Sequence, residues 1–282
     1  MRLLIENKQK QETFIAIFQL LKNWSNVINM NFENDKLYIQ AMDKSHVCLA
    51  DINITDDWFD HYDCQTHNKI CVDSTHFAIL MNYGLNNGTI ELKFEDESAP
   101  EKLFINFLNN KNAVSNDDNV KPADNVKPAD KKKSVKGSFD HYFELNLIDN
   151  DEDGLVIPEV DYDVDFVIDS KKFVDVLSEL NTFGQKLNIV CNENVVDLNA
   201  SGDSAKLKVS IKTDELEEYA IGEDSTLDVS FSLTHVCKMC CSLKLSKMMS
   251  ISLSQEYPMA LKYDLGEKSN VIFYVAPQMI DA

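Results

Sequence analysis

Three groups of residues have the types and spacing to do chemistry. Cys237, Cys240 and Cys241 form a C-x-x-C-C run, a pattern that suggests a metal site. Zinc, however, takes four ligands, usually from two separated pairs. The chain has neither a second C-x-x-C nor an H-x-x-x-H, so no metal site is expected. The three thiols instead fall on a helix predicted to start near Ser232, whose apolar face would be Val236, Met239, Cys240 and Leu243. Free Cys on such a face packs as a small hydrophobe. Asp43, Ser45 and His46 cluster after a strand and bring together the residue types of a nucleophilic site. They also suit an ordinary turn with a partly exposed His. The acidic pairs Asp56-Asp57 and Asp117-Asp118 are adjacent, and adjacent strand residues point to opposite faces. Solvated charge describes them better than paired metal ligands. There is no Gly-rich phosphate loop, G-x-S-x-G or H-E-x-x-H. No catalytic site is expected, and no cofactor.

The elements that position these residues follow an internal repeat. Phe14, Ile17, Phe18 and Leu21 sit at i, i+3, i+4 and i+7, one apolar helix face. Phe173, Val176, Leu177 and Leu180 repeat it 159 residues later. Ile28, Met30, Leu37, Ile39 and Ala41 alternate as strands do, and Leu187, Ile189, Val196, Leu198 and Ala200 match them at the same offset. Thr75-His76-Phe77 and Thr234-His235-Val236 open two more helices, and Ile90, Leu92, Phe94 match Met249, Ile251, Leu253. The chain is a duplication. Each half reads strand, helix, strands, helix, strands. Short turns such as Asn86-Asn87-Gly88 and Gly266-Glu267-Lys268 indicate antiparallel pairing, hence an α+β fold.

Two stretches interrupt the repeat. Residues 109–137 contain NVKPAD twice in tandem, at 119–124 and 125–130, followed by Lys131, Lys132 and Lys133. With few apolar residues the segment cannot offset its ordering entropy and reads as a flexible surface insert. A basic interaction arm is the other reading. Residues 148–163, IDNDEDGLVIPEVDYD, are acidic around an apolar centre, and Pro158 forces Ile157 extended. Exposed aliphatic residues in a linker suggest a surface that a partner covers. The domains are thus expected at 1–147 and 164–282, with 148–163 between them.

Composition bounds the function. The 282 residues are 44% hydrophobic and 26% charged, and 27 basic against 47 acidic residues give a net charge of −20. A free-standing, adhesive nucleic-acid binder needs the opposite balance. Seven Cys without framework spacing fit a reducing compartment. Residues 1–10 hold one three-residue apolar run, so no signal peptide is expected. No apolar stretch approaches the roughly 18 residues of a membrane span, so no membrane partner is expected.

Several segments resemble the eukaryotic sliding clamp family, proliferating cell nuclear antigen. They are LYIQAMDKSHVCL (37–49), FDHYDC (59–64), GLVIPEVDY (154–162), NASGD (199–203), YPMALKY (257–263) and FYVAP (273–277), in the family's order. The match spans nearly the whole chain outside the insert. The resemblance implies a DNA clamp fold of two similar domains, each with antiparallel sheets and two helices, closing as a homotrimeric ring. It implies a non-enzymatic processivity factor threaded by duplex DNA. Its partners would be a clamp loader, a DNA polymerase and other replication and repair proteins that carry PIP-box-type peptides. It also implies nuclear residence, or a cytoplasmic viral replication site for a virus-encoded chain.

Carried over by motif, the partner pocket would use Met42, His46, Val47, Leu49, Leu155, Ile157, Pro158, Tyr162, Pro258, Tyr274, Ala276 and Pro277, with Gln278 where many members are basic. The ring would close through segments 139–147 and 206–211, presenting Phe143, Leu145 and Leu147 to Leu207, Val209 and Ile211. Positions that carry inner-helix cations in the family read Ile15, Ala16, Ile79, Asn82, Asp175, Ser178 and Cys241 here. Lys22 is retained, and Lys8, Lys10, Lys171, Lys172, Lys238, Lys244 and Lys247 are the substitutes expected to face DNA. The family's ubiquitin-acceptor lysine falls at Glu193. Two other readings remain: a clamp-like subunit that does not close a homotrimer, and a metal-dependent nuclease built on Asp43 or Asp203.

Overall fold

A computed structural model describes residues 1–86, 88–94, 100–109, 139–150, 154–240 and 243–278. Most of the 109–137 insert, Asp117-Asp118 and Cys241 lie outside the described residues. The first half runs β1 (Arg2–Ile5), α1 (Lys8–Leu21), β2 (Val27–Phe32), β3 (Lys36–Met42), β4 (Cys48–Thr55), β5 (His61–Asp63), β6 (Asn68–Asp73), α2 (Ser74–Met81), β7 (Thr89–Lys93), β8 (Lys102–Leu108) and β9 (His141–Asn146). The second runs β10 (Val164–Asp169), α3 (Ser170–Leu180), β11 (Lys186–Cys191), β12 (Val195–Ser201), β13 (Lys206–Lys212), β14 (Glu218–Ile221), β15 (Leu227–Ser232), α4 (Leu233–Met239), β16 (Met248–Leu253), β17 (Met259–Gly266) and β18 (Ser269–Val275). The order is the same in both halves, as the sequence repeat predicts.

The 159-residue offset holds at the starts of β2 and β11, β3 and β12, β6 and β15, α2 and α4, and β7 and β16. It fails at the first helices. α1 has 14 residues and is capped by Asn7, whereas α3 has 11 and is capped by Asp169. The extra length of α1 lies at its N-terminus.

Alternating strands bury every second side chain. In β2, β3 and β4 the inward residues are Ile28, Met30, Phe32, Leu37, Ile39, Ala41, Ala50, Ile52 and Ile54. α1 and α2 cover that face, where Phe14, Phe18 and Phe77 meet edge to face at 4.9 and 4.5 Å. α3 and α4 do the same for the second half through Phe173, Leu177, Leu233 and Val236. Full burial of one such side chain stabilises the fold by about 1.5–3 kcal/mol. Among the described residues, no helix is long and apolar enough to cross a membrane.

Three antiparallel sheets result, ordered β5-β1-β7-β8-β9, β14-β10-β16-β17-β18-β4-β3-β2-β6, and β13-β12-β11-β15. The nine-stranded sheet crosses from one half to the other where β18 pairs with β4, from Asn270↔Asn53 to Val275↔Cys48. Thr13 Oγ1 donates to the Lys244 carbonyl at 2.9 Å and Trp58 Nε1 to that of Leu265 at 3.2 Å, tying the halves further. Among the described residues, β9 and β13 are sheet edges, pairing on one side only, with β8 and β12.

Two expectations about helices are corrected. α4 ends at Met239, so Leu243 is not on its apolar face and stands 48% exposed, while Cys240 caps the helix and is buried. The 82–86 stretch forms a 3-10 turn directly after α2, so Asn86 ends that turn rather than joining two strands, while Asn87 lies outside the described residues.

Candidate functional site

The outer face of the nine-stranded sheet carries a groove beside the linker. Met42 pairs with Leu49 and Leu49 with Tyr274, so β3, β4 and β18 present three half-buried side chains in a row. One register step away lie Gln40 and Asp51. Tyr38 Oη donates to Asp51 Oδ1 at 2.5 Å, and Gln40 Nε2 donates to Tyr38 Oη at 2.9 Å. Burial raises the Asp51 carboxyl above its ordinary pKa, against the pull of those hydrogen bonds. Burial and then Asp51 raise Tyr38. Burial, then Asp51 and Tyr162, push Tyr274 up to about 12. The face therefore keeps neutral hydroxyls at physiological pH.

Gln40 also clasps the linker. Its Oε1 accepts from the Leu155 N–H at 2.6 Å and its Nε2 donates to the Leu155 carbonyl at 3.0 Å. Gly154 allows this approach, since a Cβ there would sit 3.2 Å from Gln40 Oε1. The backbone held this way leaves Leu155 and Val156 facing solvent, 53% and 95% exposed.

The turn between β3 and β4 closes one end. Asp43 accepts hydrogen bonds from the N–H groups of Val47 (2.8 Å), Cys48 (2.7 Å) and Ser45 (3.1 Å) and from the Ser45 hydroxyl. Burial pushes this carboxyl up, but the hydrogen bonds outweigh it and hold it below the usual carboxylate range. His46 takes φ 56°, the left-handed region, and its imidazole is exposed. This cluster is a turn capped by Asp43, with no nucleophile–base geometry between Ser45 and His46.

The groove encloses about 480 Å³ and brings together Met42, His46, Leu49 and Leu155. Val47 is tied to the C-terminal segment through its carbonyl, which accepts from the Ala276 N–H at 3.0 Å. Ile157, Pro158, Tyr162, Pro258, Tyr274, Ala276 and Pro277 lie outside that lining. Sequence reasoning missed Gln40, Val27, Asn29 and Lys69, which do line it. Only the outward strand phase of Gln40 and Asn29 hinted at them.

Of the lysines expected to face DNA, Lys8, Lys22, Lys171, Lys172, Lys238, Lys244 and Lys247 are exposed. Lys171, Lys244 and Lys247 line one cleft of about 460 Å³ with Gln9 and Glu12 of α1. Lys10 is engaged elsewhere: its Nζ donates to the Trp58 carbonyl at 2.6 Å and lies 5.5 Å from that indole ring. Ile15 and Ala16, 2% and 6% exposed, are core positions rather than a surface facing DNA. The 82–86 turn covers Ile15, because a Cβ on Gly84 would meet Ile15 Cδ1 at 3.3 Å.

On the edge strands, Phe143, Leu145, Leu147, Leu207 and Val209 are half-buried against the core and Ile211 is buried. Phe143 packs 5.2 Å from Tyr83 and 5.8 Å from Phe107. The opposite face of β9 exposes Tyr142, at 68%.

The chain is similar to known proteins over almost its full length. A sequence model of the proliferating cell nuclear antigen N-terminal domain matches residues 4–125, and one of the C-terminal domain matches 156–278. The proliferating cell nuclear antigen of Chaetomium thermophilum is 25% identical over 286 residues, 99% of each chain. Proliferating cell nuclear antigen 2 of Plasmodium falciparum is 23% identical over 275 residues, 95% of this chain and 96% of its own. A solved PCNA2-PCNA3 complex from Sulfolobus tokodaii holds a chain of the same fold, with TM-score 0.79 and 18% identity over 99% of both chains. The chain therefore belongs to the proliferating cell nuclear antigen family, a family of non-enzymatic DNA sliding clamps.

Proposed function

We propose that three copies of this chain close into a ring that encircles duplex DNA and carries partner proteins on its groove. One observation supports ring closure above the others. By the repeat, β9 corresponds to β18 and β13 to β4. β18 and β4 pair with each other inside the chain, whereas among the described residues β9 and β13 each pair on one side only. Pairing β9 of one subunit with β13 of the next repeats the internal junction between molecules. Such a head-to-tail contact closes into a ring, and closure removes two edges that are otherwise liabilities. Phe143, Leu145 and Leu147 would meet Leu207, Val209 and Ile211 there. Domains at 1–147 and 164–282, joined by 148–163, make the three-subunit ring pseudo-sixfold.

A closed ring holds DNA by topology and needs only weak contacts to slide. The exposed lysines beside the helices suit that role, because a tight phosphate grip would hinder movement. The groove suits a short peptide with apolar anchors, docking on Met42, Leu49 and Leu155 and pairing along the extended linker. Polymerase, clamp loader and repair proteins bearing such peptides are the partners, and the nucleus is where they act. A heteromeric ring is the second reading, favoured by the fold match to a PCNA2-PCNA3 complex.

The test of encirclement is threading onto linear duplex DNA, followed by blocking both ends with streptavidin. A salt-resistant retained fraction that disappears when one end is opened is expected. Equal, salt-sensitive retention on blocked and open DNA contradicts encirclement.

A further inference from the structure

We infer that Asp43, Cys48 and His235 form a binding site for one zinc-class divalent metal ion, joining the two halves of the chain. A carboxylate oxygen, the thiol sulfur and an imidazole nitrogen lie within 4.8 Å of one another. Asp43 Oδ2 and His235 Nε2 are 3.7 Å apart. Ligands on a tetrahedral zinc, with bonds of about 2.0–2.3 Å, are separated by about 3.3–3.7 Å. A contraction of roughly an ångström among side chains completes three-ligand coordination by that bond geometry.

The supporting hydrogen bonds already aim the ligands. His235 Nδ1 sits 2.7 Å from Ser232 Oγ, so the ring can donate there and turn the Nε2 lone pair toward Asp43. An imidazole fixed through its other nitrogen is the usual arrangement of a metal-binding His. Asp43 Oδ1 accepts from the Val47 and Cys48 N–H groups, which holds Oδ2 facing His235. The Ser45 hydroxyl bonds Asp43 and lies 3.2 Å from His235 Nε2. Ion binding requires this exposed hydroxyl to rotate aside.

A cavity of about 320 Å³ adjoins the three residues and supplies a fourth position for water. Trp24 lines it, and its buried Nε1–H has no acceptor among the described residues. Lys238 and Lys44 line it too. Burial, then the Asp43 charge, push the Cys48 thiol up to about 12, against a smaller pull from Lys238. A metal-ligating Cys must give up its thiol proton. As the Zn–S bond forms, the S–H bond breaks and one proton goes to solvent, with no change of oxidation state. The site is independent of the C-x-x-C-C run.

The test uses the full-length, reduced, chelator-treated protein and Zn²⁺ or Co²⁺ alone. One Zn²⁺ per chain is expected, and the Co²⁺ form should show a near-ultraviolet thiolate-to-cobalt band. Cys48→Ser and His235→Gln should each lose the band while keeping the unmodified circular dichroism spectrum, and Cys48→Ala serves if the Ser variant misfolds. Ser232→Ala, which removes the hydrogen bond behind His235, should weaken Zn²⁺ binding by about 10-fold or more. Cys237→Ser and Cys241→Ser should retain the band. A band that survives Cys48→Ser, or no stoichiometric Zn²⁺ binding at micromolar protein, overturns the proposal.

Discussion

At the scale of residues, the groove depends on a few polar contacts whose loss is measurable. Gln40→Ala removes both hydrogen bonds to Leu155. Each is worth about 1 kcal/mol net, so the linker should detach while the sheet stays folded. Hydrogen exchange at the Leu155 amide should speed up with little change in Tm; unchanged exchange contradicts the clasp. Glu91 offers a pH test. Burial pushes its carboxyl up, but hydrogen bonds from Asn106 and Arg2, each 2.7 Å, prevail and hold it below the usual range. A lowered folded pKa gives stability that is present above the unfolded value of about 4.3 and lost as pH falls through the folded one. Glu91→Gln should therefore be less stable than the unmodified chain at pH 7, and the gap should close in acid below about pH 4. Urea unfolding at both pH values checks it, and a gap that widens in acid contradicts the assignment. Gln40 was illegible in the sequence because a polar residue on the outward phase of a strand looks the same with or without a partner. The Asp43, Cys48 and His235 cluster was illegible because its members come from a turn, the strand after it and a distant helix.

Among elements, the linker and the edge strands carry the functional reading. Leu155 is 53% exposed and Ile157 only half-buried, so Leu155→Ser with Ile157→Ser should cost little stability yet abolish binding of an aromatic–aliphatic partner peptide. Calorimetric titration with such a peptide measures this; unchanged affinity rejects the groove. Edge amides of β9 and β13 should exchange slowly in the assembled protein and faster on dilution, whereas dilution-independent exchange argues against their pairing between subunits. Much of this level was readable beforehand. Alternating Ile28, Met30, Leu37 and Ile39 marked strands, the Phe14 face marked a helix, and the 159-residue offset marked the duplication, because local burial periodicity repeats wherever the fold repeats. Partner choice between strands was not readable. Nothing in β4 or β18 alone says that they pair, since backbone pairing is blind to which strand supplies the other side. Nor did the sequence expose the burial of Ile15, against which the 82–86 turn packs at Gly84.

For the whole molecule, a net charge of −20 and DNA encirclement are compatible once holding is topological. In the proposed ring, the acidic balance would resist nonspecific adhesion to nucleic acid, while a few exposed lysines near the helices would supply weak, salt-screened contacts. Affinity for short linear DNA should accordingly be weak and fall with salt; a salt slope matching about eight or more phosphates would mean a gripping binder instead. The central claim is closure of identical subunits through β9 and β13. Light scattering on the purified chain at micromolar concentration tests it most directly. A mass of roughly three times the 32.1 kDa chain is the predicted result, and a single species near 32.1 kDa would contradict it.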